Sequence, residues 1–210
     1  MAAPENEILP AVIASDQQGL DEMLAKVKDF ADNIMLDLMD GKFVPASSLD
    51  FTMKLPPGPR YQFHVMAVDP LDRLMKSPAE VDTVVLHAES LDSIKDAIEA
   101  AKKKGVKLFI ALNPETSVDA IKPHLDELDG VLIMSVHPGQ YGAKFLPEQL
   151  EKVKAIRAIS KTITIEVDGG MNDKSMGQAV AAGANQVASG SYIMKNSDPE
   201  AAYESLKALF

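Results

Sequence analysis

Eight short apolar segments recur along the chain, each rich in β-branched or aromatic residues. They begin at Ile8, Asn33, Tyr61, Thr83, Lys107, Gly130, Thr162 and Asn185. A new segment starts roughly every 20 to 30 residues, and short apolar runs bounded by turn residues are typical of buried strands. The pattern therefore predicts eight strands.

Amphipathic stretches with the apolar spacing of helices separate most of these segments. The clearest are LDEMLAKVKDFA, SLDSIKDAIEAAKKKG, PEQLEKVKAIRAIS and DKSMGQAVAAGA. The second stretch ends at Gly105, a residue type that commonly terminates helices. Eight strand-and-helix units predict a single α/β domain over residues 1–210, a (β/α)8 TIM barrel, with a doubly wound open sheet as the structural alternative.

The second unit fits this pattern poorly. Between Pro45 and Tyr61 the chain reads ASSLDFTMKLPPGPR, which leaves room for about two helical turns before the prolines end any helix. We expect a short second helix and an extended loop in this segment.

Composition narrows the class of protein. The chain has 31 acidic residues against 21 lysines and arginines, a formal charge of −10, which argues against nucleic-acid or anionic-membrane partners. It has no cysteine, so disulfides and thiolate metal sites are excluded. The sequence shows neither a secretory signal pattern nor an apolar run long enough to span a membrane, and we expect a cytoplasmic location.

Polar residues gather towards the carboxyl ends of the predicted strands. They are Asp37, His64, His87, Asn113, Ser135, His137, Asp168 and Ser191. Taken singly, a strand-end aspartate commonly makes a turn or a helix cap, and a histidine in an apolar strand is commonly a core residue. Active sites of (β/α)8 barrels lie at the carboxyl end, however, so recurrence on seven strands favours one shared site.

Glycines follow the seventh and eighth predicted strands, in EVDGGMND and in AAGANQVASGSYI. Gly169, Gly170, Gly190 and Ser191 lie where barrels usually bind phosphate, because glycine lets the backbone approach a ligand and the next helix presents free N–H groups. The same glycines could serve only to turn the chain. Their placement favours a phosphate site. Such a site would bind a dianion even though the net charge of the protein is negative.

A further loop, SVHPGQYGAKF, follows the sixth predicted strand. Gly139 and Gly142 flank Gln140 and Tyr141 in this loop. Such a segment beside a barrel mouth is expected to close over a bound ligand.

Several motifs together resemble one known family, in order and over nearly the whole chain. They are IMLDLMDGKFVP, FHVMAVDP, VLHAES, ALNPET, IMSVHPG with GAKF, IEVDGG, and GAN with SGS. These motifs resemble the ribulose-phosphate 3-epimerase family. The resemblance implies a ribulose-phosphate-binding barrel that inverts carbon 3 of ribulose 5-phosphate to give xylulose 5-phosphate.

The resemblance also implies roles for individual residues. Asp37 and Asp168 would be the acid/base pair on opposite faces of a planar enediolate, and with His64 they would hold a divalent metal. The substrate would be contacted by Met39, His64, Met66, Met134, His137, Gly139 and Gly142. No nucleotide cofactor is implied.

Departures from the family pattern affect the metal and the sugar. Met35 stands where the family has its first metal histidine, and a thioether is a soft, weak ligand for Zn, Fe, Mn or Co. The set Asp37, His64 and Asp168 is therefore incomplete, and we expect weak metal binding or none. Ala11 replaces a serine; in the loop after the sixth strand, His137 replaces an asparagine and Tyr141 a glycine.

The leading hypothesis is epimerisation of a ketose phosphate, and several alternatives stay open. Asp40-Gly41-Lys42 begins the Asp-x-Lys-x-x-Asp motif of hexulose-phosphate synthases and orotidine-phosphate decarboxylases, but Pro45 stands where the second aspartate belongs. A metal-free epimerase or isomerase for another phosphosugar and a non-catalytic phosphosugar-binding barrel are the others. The sequence leaves the oligomeric state open, including a homo-oligomer.

Overall fold

A closed barrel of eight parallel strands forms the centre of the molecule in a computed structural model, which describes residues 5–139 and 142–210. The strands are β1 (Glu7–Val12), β2 (Asn33–Asp40), β3 (Arg60–Met66), β4 (Val81–His87), β5 (Lys107–Leu112), β6 (Gly130–Met134), β7 (Thr164–Asp168) and β8 (Gln186–Ser189). Each strand pairs with the next, and β1 closes the ring by pairing with both β2 and β8. The barrel prediction is confirmed, and the open sheet is excluded.

Helices connect most of the strands and cover the outside of the barrel. They are α1 (Gln17–Ala25), α2 (Pro70–Lys76), α3 (Ile94–Lys104), α4 (Leu150–Ile159), α5 (Met176–Ala182), α6 (Ser191–Met194) and α7 (Pro199–Lys207). Helix α3 ends as predicted, with Gly105 in the left-handed conformation at φ 80°. No helix of the described residues combines the length and apolar character needed to cross a bilayer.

The helix expected between Pro45 and Tyr61 is absent, and that prediction is wrong. Residues 45–59, all of which the structure describes, contain only the two-residue strand Ser47–Ser48, which pairs antiparallel with the end of β2. The Ala14 N–H donates to Ser48 Oγ (3.1 Å) and the Leu49 N–H donates to the Ala14 carbonyl (2.8 Å). A partner outside the segment thus satisfies the Leu49 N–H, which a helix would have paired internally.

The connection between β5 and β6 also lacks an α-helix. Residues 113–129 lie wholly within the described part and contain two short 3-10 turns, Val118–Ala120 and Lys122–His124. Pro123 has no N–H and its ring collides with the preceding turn, which prevents a continuous α-helix.

Alternation along the strands decides which side chains face the barrel interior. In β2, Ile34, Leu36 and Leu38 pack between the strands and the helices, whereas Met35 lies inside the barrel. Because side chains alternate, Asp37 points inward with Met35. The inner apolar cluster consists of Leu9, Ala11, Met35, Val85, Phe109, Ala111, Leu132, Met134, Val136 and Ala188. Polar side chains at the carboxyl mouth are therefore held on a packed apolar support.

Candidate active site

Two acids and a histidine from three strands meet at the carboxyl end of the barrel. Asp37 and His64 are register partners on β2 and β3, with 3.0 Å between Asp37 Oδ1 and His64 Nδ1. Asp168, the last residue of β7, places Oδ2 3.8 Å from the same nitrogen. One ligand atom from each residue lies within 4.8 Å of the others. Residues that are distant in sequence thus share one pocket.

The pKa values of both carboxyl groups are raised to about 7. Burial is the main cause for Asp37, opposed by the nearby His87. For Asp168, burial is again the main cause and the charge of Asp37 adds to it, whereas His64 and the Gly169 N–H oppose it. The side chains are 11% and 15% exposed, so both remain open to the pocket. Groups that titrate near neutrality are suited to act as acid and base.

A second histidine lies behind His64. The Nε2 atoms of His64 and His87 are 2.8 Å apart, and His87 Nδ1 lies 3.5 Å from Glu89 Oε2. Both imidazoles are fully buried, and burial lowers the pKa of each, which favours the neutral rings. The sequence alone places His87 among the polar strand residues without a role, and it gives no signal that singles out Glu89.

A cavity opens above these residues, and most of the predicted site residues line it. Besides Asp37 and Asp168, these are Met39, Met66, Met134, Gly139, Gly142, Gly169, Gly170, Gly190 and Ser191. His64 lies beneath the cavity with no exposed surface. Sequence reasoning missed six further lining residues: Ile13, Val136, Pro138, Ala143, Met171 and Ala188. Apolar residues in strands and loops carry no sequence signal that separates pocket-lining positions from core positions.

His137 lies at the rim rather than in the cavity wall. Its side chain is 67% exposed, and Nδ1 lies 3.2 Å from Glu115 Oε1. This contact joins the loops that follow β5 and β6. The expected lid residues Gln140 and Tyr141 lie outside the described residues, so lid closure stays a prediction.

The turn after β7 has a shape that requires glycine. Gly169 has φ 109°, and a Cβ atom there would lie 2.4 Å from Val136 Cγ2. Gly170 has φ 66°, and its carbonyl accepts hydrogen bonds from Asn172 Nδ2 (3.0 Å) and Ser175 Oγ (2.8 Å). By contrast, Gly190 has φ −88°, which any residue adopts. The glycine pair therefore fixes a turn on the cavity wall.

Ser135 ties the end of β6 to this turn. Its hydroxyl lies 2.9 Å from the Asp168 carbonyl and 2.7 Å from the Gly169 carbonyl, so one proton is shared between two acceptors. The Ser135 N–H also donates to the Asp168 carbonyl (2.7 Å). The backbone that carries Asp168 is consequently held from the neighbouring strand.

The donor set of the acid pair and His64 fits a divalent cation. Two carboxylates and one imidazole suit Zn²⁺, Mn²⁺, Fe²⁺ or Co²⁺, and three protein ligands are the number that catalytic zinc sites use. Met35 is fully buried in the inner apolar cluster and does not line the cavity. The structure thus contains a group of three residues able to hold a metal ion.

Asp40, the second aspartate at the end of β2, organises loops. Its Oδ1 accepts hydrogen bonds from the N–H groups of Lys42 and Phe43 (2.8 Å each), and Oδ2 accepts from Val68 N–H (2.9 Å). Burial would raise the pKa of Asp40, but these three bonds and the charge of Lys42 outweigh it and lower the pKa. Asp40 therefore ties the loops after β2 and β3 together.

Solved structures place this fold among known (β/α)8 barrels. The chain is similar to KGPDC from Streptococcus mutans, with 14% identity and a TM-score of 0.72 over 98% of this chain and 97% of that one. It is also similar to 3-hexulose-6-phosphate synthase from Salmonella typhimurium, with 15% identity and a TM-score of 0.68 over 97% of each. Identities this low show the fold alone, that of a (β/α)8 barrel.

Sequence relatives then identify the family. The model of the ribulose-phosphate 3 epimerase family matches residues 7–194, and the chain belongs to that family. It is 32% identical to the ribulose-phosphate 3-epimerase of Bacillus subtilis (strain 168), over 96% of this chain and 98% of the relative. It is 34% identical to that of Mycobacterium tuberculosis (strain ATCC 25618 / H37Rv), over 95% and 91%. The chain is accordingly an isomerase of the epimerase class.

Proposed function

We propose that this enzyme inverts carbon 3 of a ketose phosphate and interconverts ribulose 5-phosphate and xylulose 5-phosphate. The observation that carries the proposal is that Asp37 and Asp168 face one cavity from different strands, each with a carboxyl oxygen near His64 Nδ1. The relatives named ribulose-phosphate 3-epimerase support the choice of substrate.

The reaction needs one base and one acid at the same carbon. Carbon 3 lies beside the ketone, so loss of its proton leaves a planar enediolate. One aspartate, as carboxylate, takes this proton, and the other, as carboxylic acid, returns a proton to the opposite face. With pKa values of about 7, one carboxylate and one carboxylic acid coexist near neutral pH. After each turnover the two aspartates have exchanged protonation states.

The remaining cavity residues bind and orient the substrate. We assign the phosphate to the turn of Gly169 and Gly170 and to the backbone at Gly190 and Ser191, where N–H groups of loops and a helix start suit an anion. Met39, Met66 and Met134 give the sugar side of the cavity apolar walls. Such walls exclude water and strengthen the electrostatic interactions of the enediolate.

A divalent ion would be held by Asp37, His64 and Asp168. When bound, such an ion supplies positive charge beside the oxygens on which negative charge develops. Since Met35 lies in the inner apolar cluster in place of a fourth hard or borderline ligand, we infer weaker metal binding than a four-ligand set provides.

Hydrogen exchange at carbon 3 tests the proposal. Ribulose 5-phosphate incubated with the enzyme in D2O should gain deuterium at carbon 3, and Asp37→Asn and Asp168→Asn should each slow exchange by about 10²- to 10⁴-fold. Asp72→Asn is the matched control, because Asp72 is exposed on α2 and pairs with Lys76. Exchange at the wild-type rate in both active-site variants would overturn the proposal.

Two further measurements separate the alternative functions. A chelator added to the exchange assay, together with elemental analysis, shows whether a metal is bound and needed. A synthase would require formaldehyde as a second reactant, and a non-catalytic barrel would bind the sugar phosphate without exchanging its hydrogen.

A further inference from the structure

The interior of the barrel is polar at its amino end, opposite to the acid pair. Barrels of this kind usually fill the interior with layers of branched apolar side chains. Here a second cavity, the amino-end cavity, is lined by polar residues that include Glu7, Asn33, Gln62 and Gln186. Its volume is about 130 Å³, whereas one water needs about 10–15 Å³. The cavity therefore has room for an ion with part of its hydration shell.

The carboxylate of Glu7 fixes the orientation of two amides in this cavity. Its Oε2 accepts a hydrogen bond from Gln186 Nε2 (2.6 Å) and a longer one from Asn33 Nδ2 (3.4 Å), and its Oε1 pairs with Arg60. Turning either amide over would place its oxygen against a carboxylate, which is unfavourable. The NH2 groups are thus used at Glu7, and the amide oxygens are left for other partners.

These two amide oxygens have no protein partner. Asn33 Oδ1 and Gln186 Oε1 are buried atoms, and no described residue donates a hydrogen bond to either. Asn33 as a whole is 5% exposed, and both side chains line the amino-end cavity. Buried polar atoms without a protein partner are rare in native proteins and commonly mark a bound water or ion. The orientation of the amides therefore points to a ligand in this cavity.

A third oxygen of the same kind lies deeper in the barrel. Glu166 is fully buried and pairs in register with Gln186. Its Oε2 accepts a hydrogen bond from Gln62 Nε2 (2.7 Å), whereas its Oε1 has no partner among the described residues. Gln62 lines the cavity, so Glu166 lies behind the cavity wall. The amino end of the interior thus has more oxygen acceptors than protein groups that donate to them.

The charges around the cavity favour a monovalent cation. Amide and carboxyl oxygens are ligands for hard cations, and carbonyl oxygens replace the hydration shell of K⁺ in selective channels. The charged side chains in the wall are Glu7 and Asp129 against Arg60 and Lys107, so their charges cancel. Neutral amides in a neutral ring suit a single positive charge better than a double one. The net charge of −10 also attracts cations to the protein.

We propose that the amino-end cavity binds K⁺ through Asn33 Oδ1 and Gln186 Oε1. Asn33 is the first residue of β2 and Gln186 the first residue of β8, and β1 pairs with both strands where the barrel closes. An ion held by these residues bridges β2 and β8 across β1 and stabilises the closed barrel. The site is independent of the proposed function, because none of its residues lines the active-site cavity.

Anomalous diffraction from wild-type crystals soaked in RbCl locates the ion directly, since Rb⁺ substitutes for K⁺. We expect an anomalous peak in contact with Asn33 Oδ1 and Gln186 Oε1. The competing occupant is the ammonium group of Lys107, which begins β5 and lines the same cavity. Water alone at this position, or Nζ of Lys107, overturns the proposal. The experiment needs no variant, so it does not depend on the folding of a mutant.

Thermal unfolding tests binding in solution. A ligand that binds only the folded state stabilises it, so KCl should raise Tm more than tetramethylammonium chloride at equal ionic strength. Asp37→Asn should keep this difference between the salts, which separates the amino-end cavity from the acid pair. Equal Tm values in the two salts would contradict K⁺ binding, and loss of the difference in Asp37→Asn would place the ion at the acid pair instead.

Variants of the cavity wall identify the ligands. Gln186→Met keeps the length of the side chain but removes the oxygen, and we expect K⁺ affinity, read from the dependence of Tm on K⁺, to fall at least about tenfold. Gln178→Met is the matched control, because Gln178 is exposed on α5. Lys107→Met removes a positive charge from the wall and should strengthen K⁺ binding.

Two results with these variants would overturn the proposal. One is equal K⁺ affinity in Gln186→Met and Gln178→Met, which would mean that Gln186 does not hold the ion. The other is a response to K⁺ in Lys107→Met that the wild type lacks, which would mean that the lysine ammonium occupies the position.

Discussion

Asp37 and His64 occupy partnered positions on neighbouring parallel strands, and 3.0 Å separates Asp37 Oδ1 from His64 Nδ1. Strand pairing places both side chains at the same height on the inner wall of the barrel. Asp168 approaches the same nitrogen from β7, at 3.8 Å. Because one imidazole nitrogen lies close to two carboxyl groups, a change in charge at any of the three groups shifts the pKa values of the other two.

Stability of the metal-free enzyme should fall as the pH rises from about 4 to about 7. Burial raises the pKa values of Asp37 and Asp168 from 3.8 to about 7, so the folded protein holds protons that the unfolded chain has released. Between these values the native state binds more protons, and the free energy of unfolding decreases with pH. Above about pH 7 this contribution levels off. Denaturant unfolding with chelator present measures the profile.

Variants isolate this contribution from other titrating groups. Asp37→Asn removes the cost of ionising a buried carboxyl and should gain stability relative to the wild type across the same window, by on the order of 2–4 kcal/mol at pH 8. Asp72→Asn, on an exposed side chain of α2, should follow the wild-type profile. A constant difference between Asp37→Asn and the wild type from pH 4 to pH 8 would show that Asp37 is not perturbed.

Met35→His should create a metal ligand at a cost in stability of the metal-free protein. Met35 is fully buried among apolar side chains, so an unpaired imidazole there should destabilise the fold by about 1–3 kcal/mol. With an added ligand, affinity for Zn²⁺ or Mn²⁺ should rise at least about tenfold, equivalent to about 1.4 kcal/mol. Calorimetry measures the affinity, and thermal unfolding with and without metal measures the coupling.

Met35→Leu separates the ligand effect from packing. Leucine is close to methionine in volume and should change stability by less than about 1.5 kcal/mol without altering metal affinity. If Met35→His binds the metal no more tightly than Met35→Leu, residue 35 does not reach the metal position.

The fold was largely predictable from sequence because strand and helix signals are local. Buried strands read as apolar runs, and Gly105 ended α3 as expected. The helix expected after Pro45 failed because Ser47–Ser48 pair with the end of β2 and because Ala14, 34 residues before Ser48, hydrogen-bonds Ser48 and Leu49. Helical spacing does not reveal such contacts. Where local propensity is weak, tertiary hydrogen bonds decide the structure.

The candidate site was predictable only in part. Strand-end position placed Asp37 and Asp168 among eight polar residues expected at one mouth, since the barrel brings such positions together, and the family resemblance implied their role as the acid/base pair. The contact between His64 and His87 depends on ring orientation across two strands, which the sequence does not encode locally. Similarly, His137 resembled a pocket residue in sequence, yet its loop directs it towards Glu115 at the rim.

The glycine turn after β7 gives a test of the phosphate site in which both acidic side chains are kept, although the Gly169 N–H interacts with the carboxyl group of Asp168. If the turn kept its shape in Gly169→Ala, the new methyl group would lie 2.4 Å from Val136 Cγ2, and alanine would have to adopt φ 109°. The turn therefore has to move. We expect a loss of about 2–4 kcal/mol in unfolding free energy from overpacking and backbone strain. A displaced turn should also raise KM for ribulose 5-phosphate and weaken inhibition by inorganic phosphate.

Gly177→Ala is the control for this variant. Gly177 lies in α5, and a methyl group added there would meet no atom within 4 Å, so alanine should stabilise the helix by about 0.5 kcal/mol and leave KM unchanged. If Gly169→Ala destabilises the protein but phosphate inhibits it as strongly as the wild type, the turn shapes the barrel mouth without binding phosphate. If KM and phosphate inhibition change together by about tenfold, the turn contributes about 1.4 kcal/mol to phosphate binding.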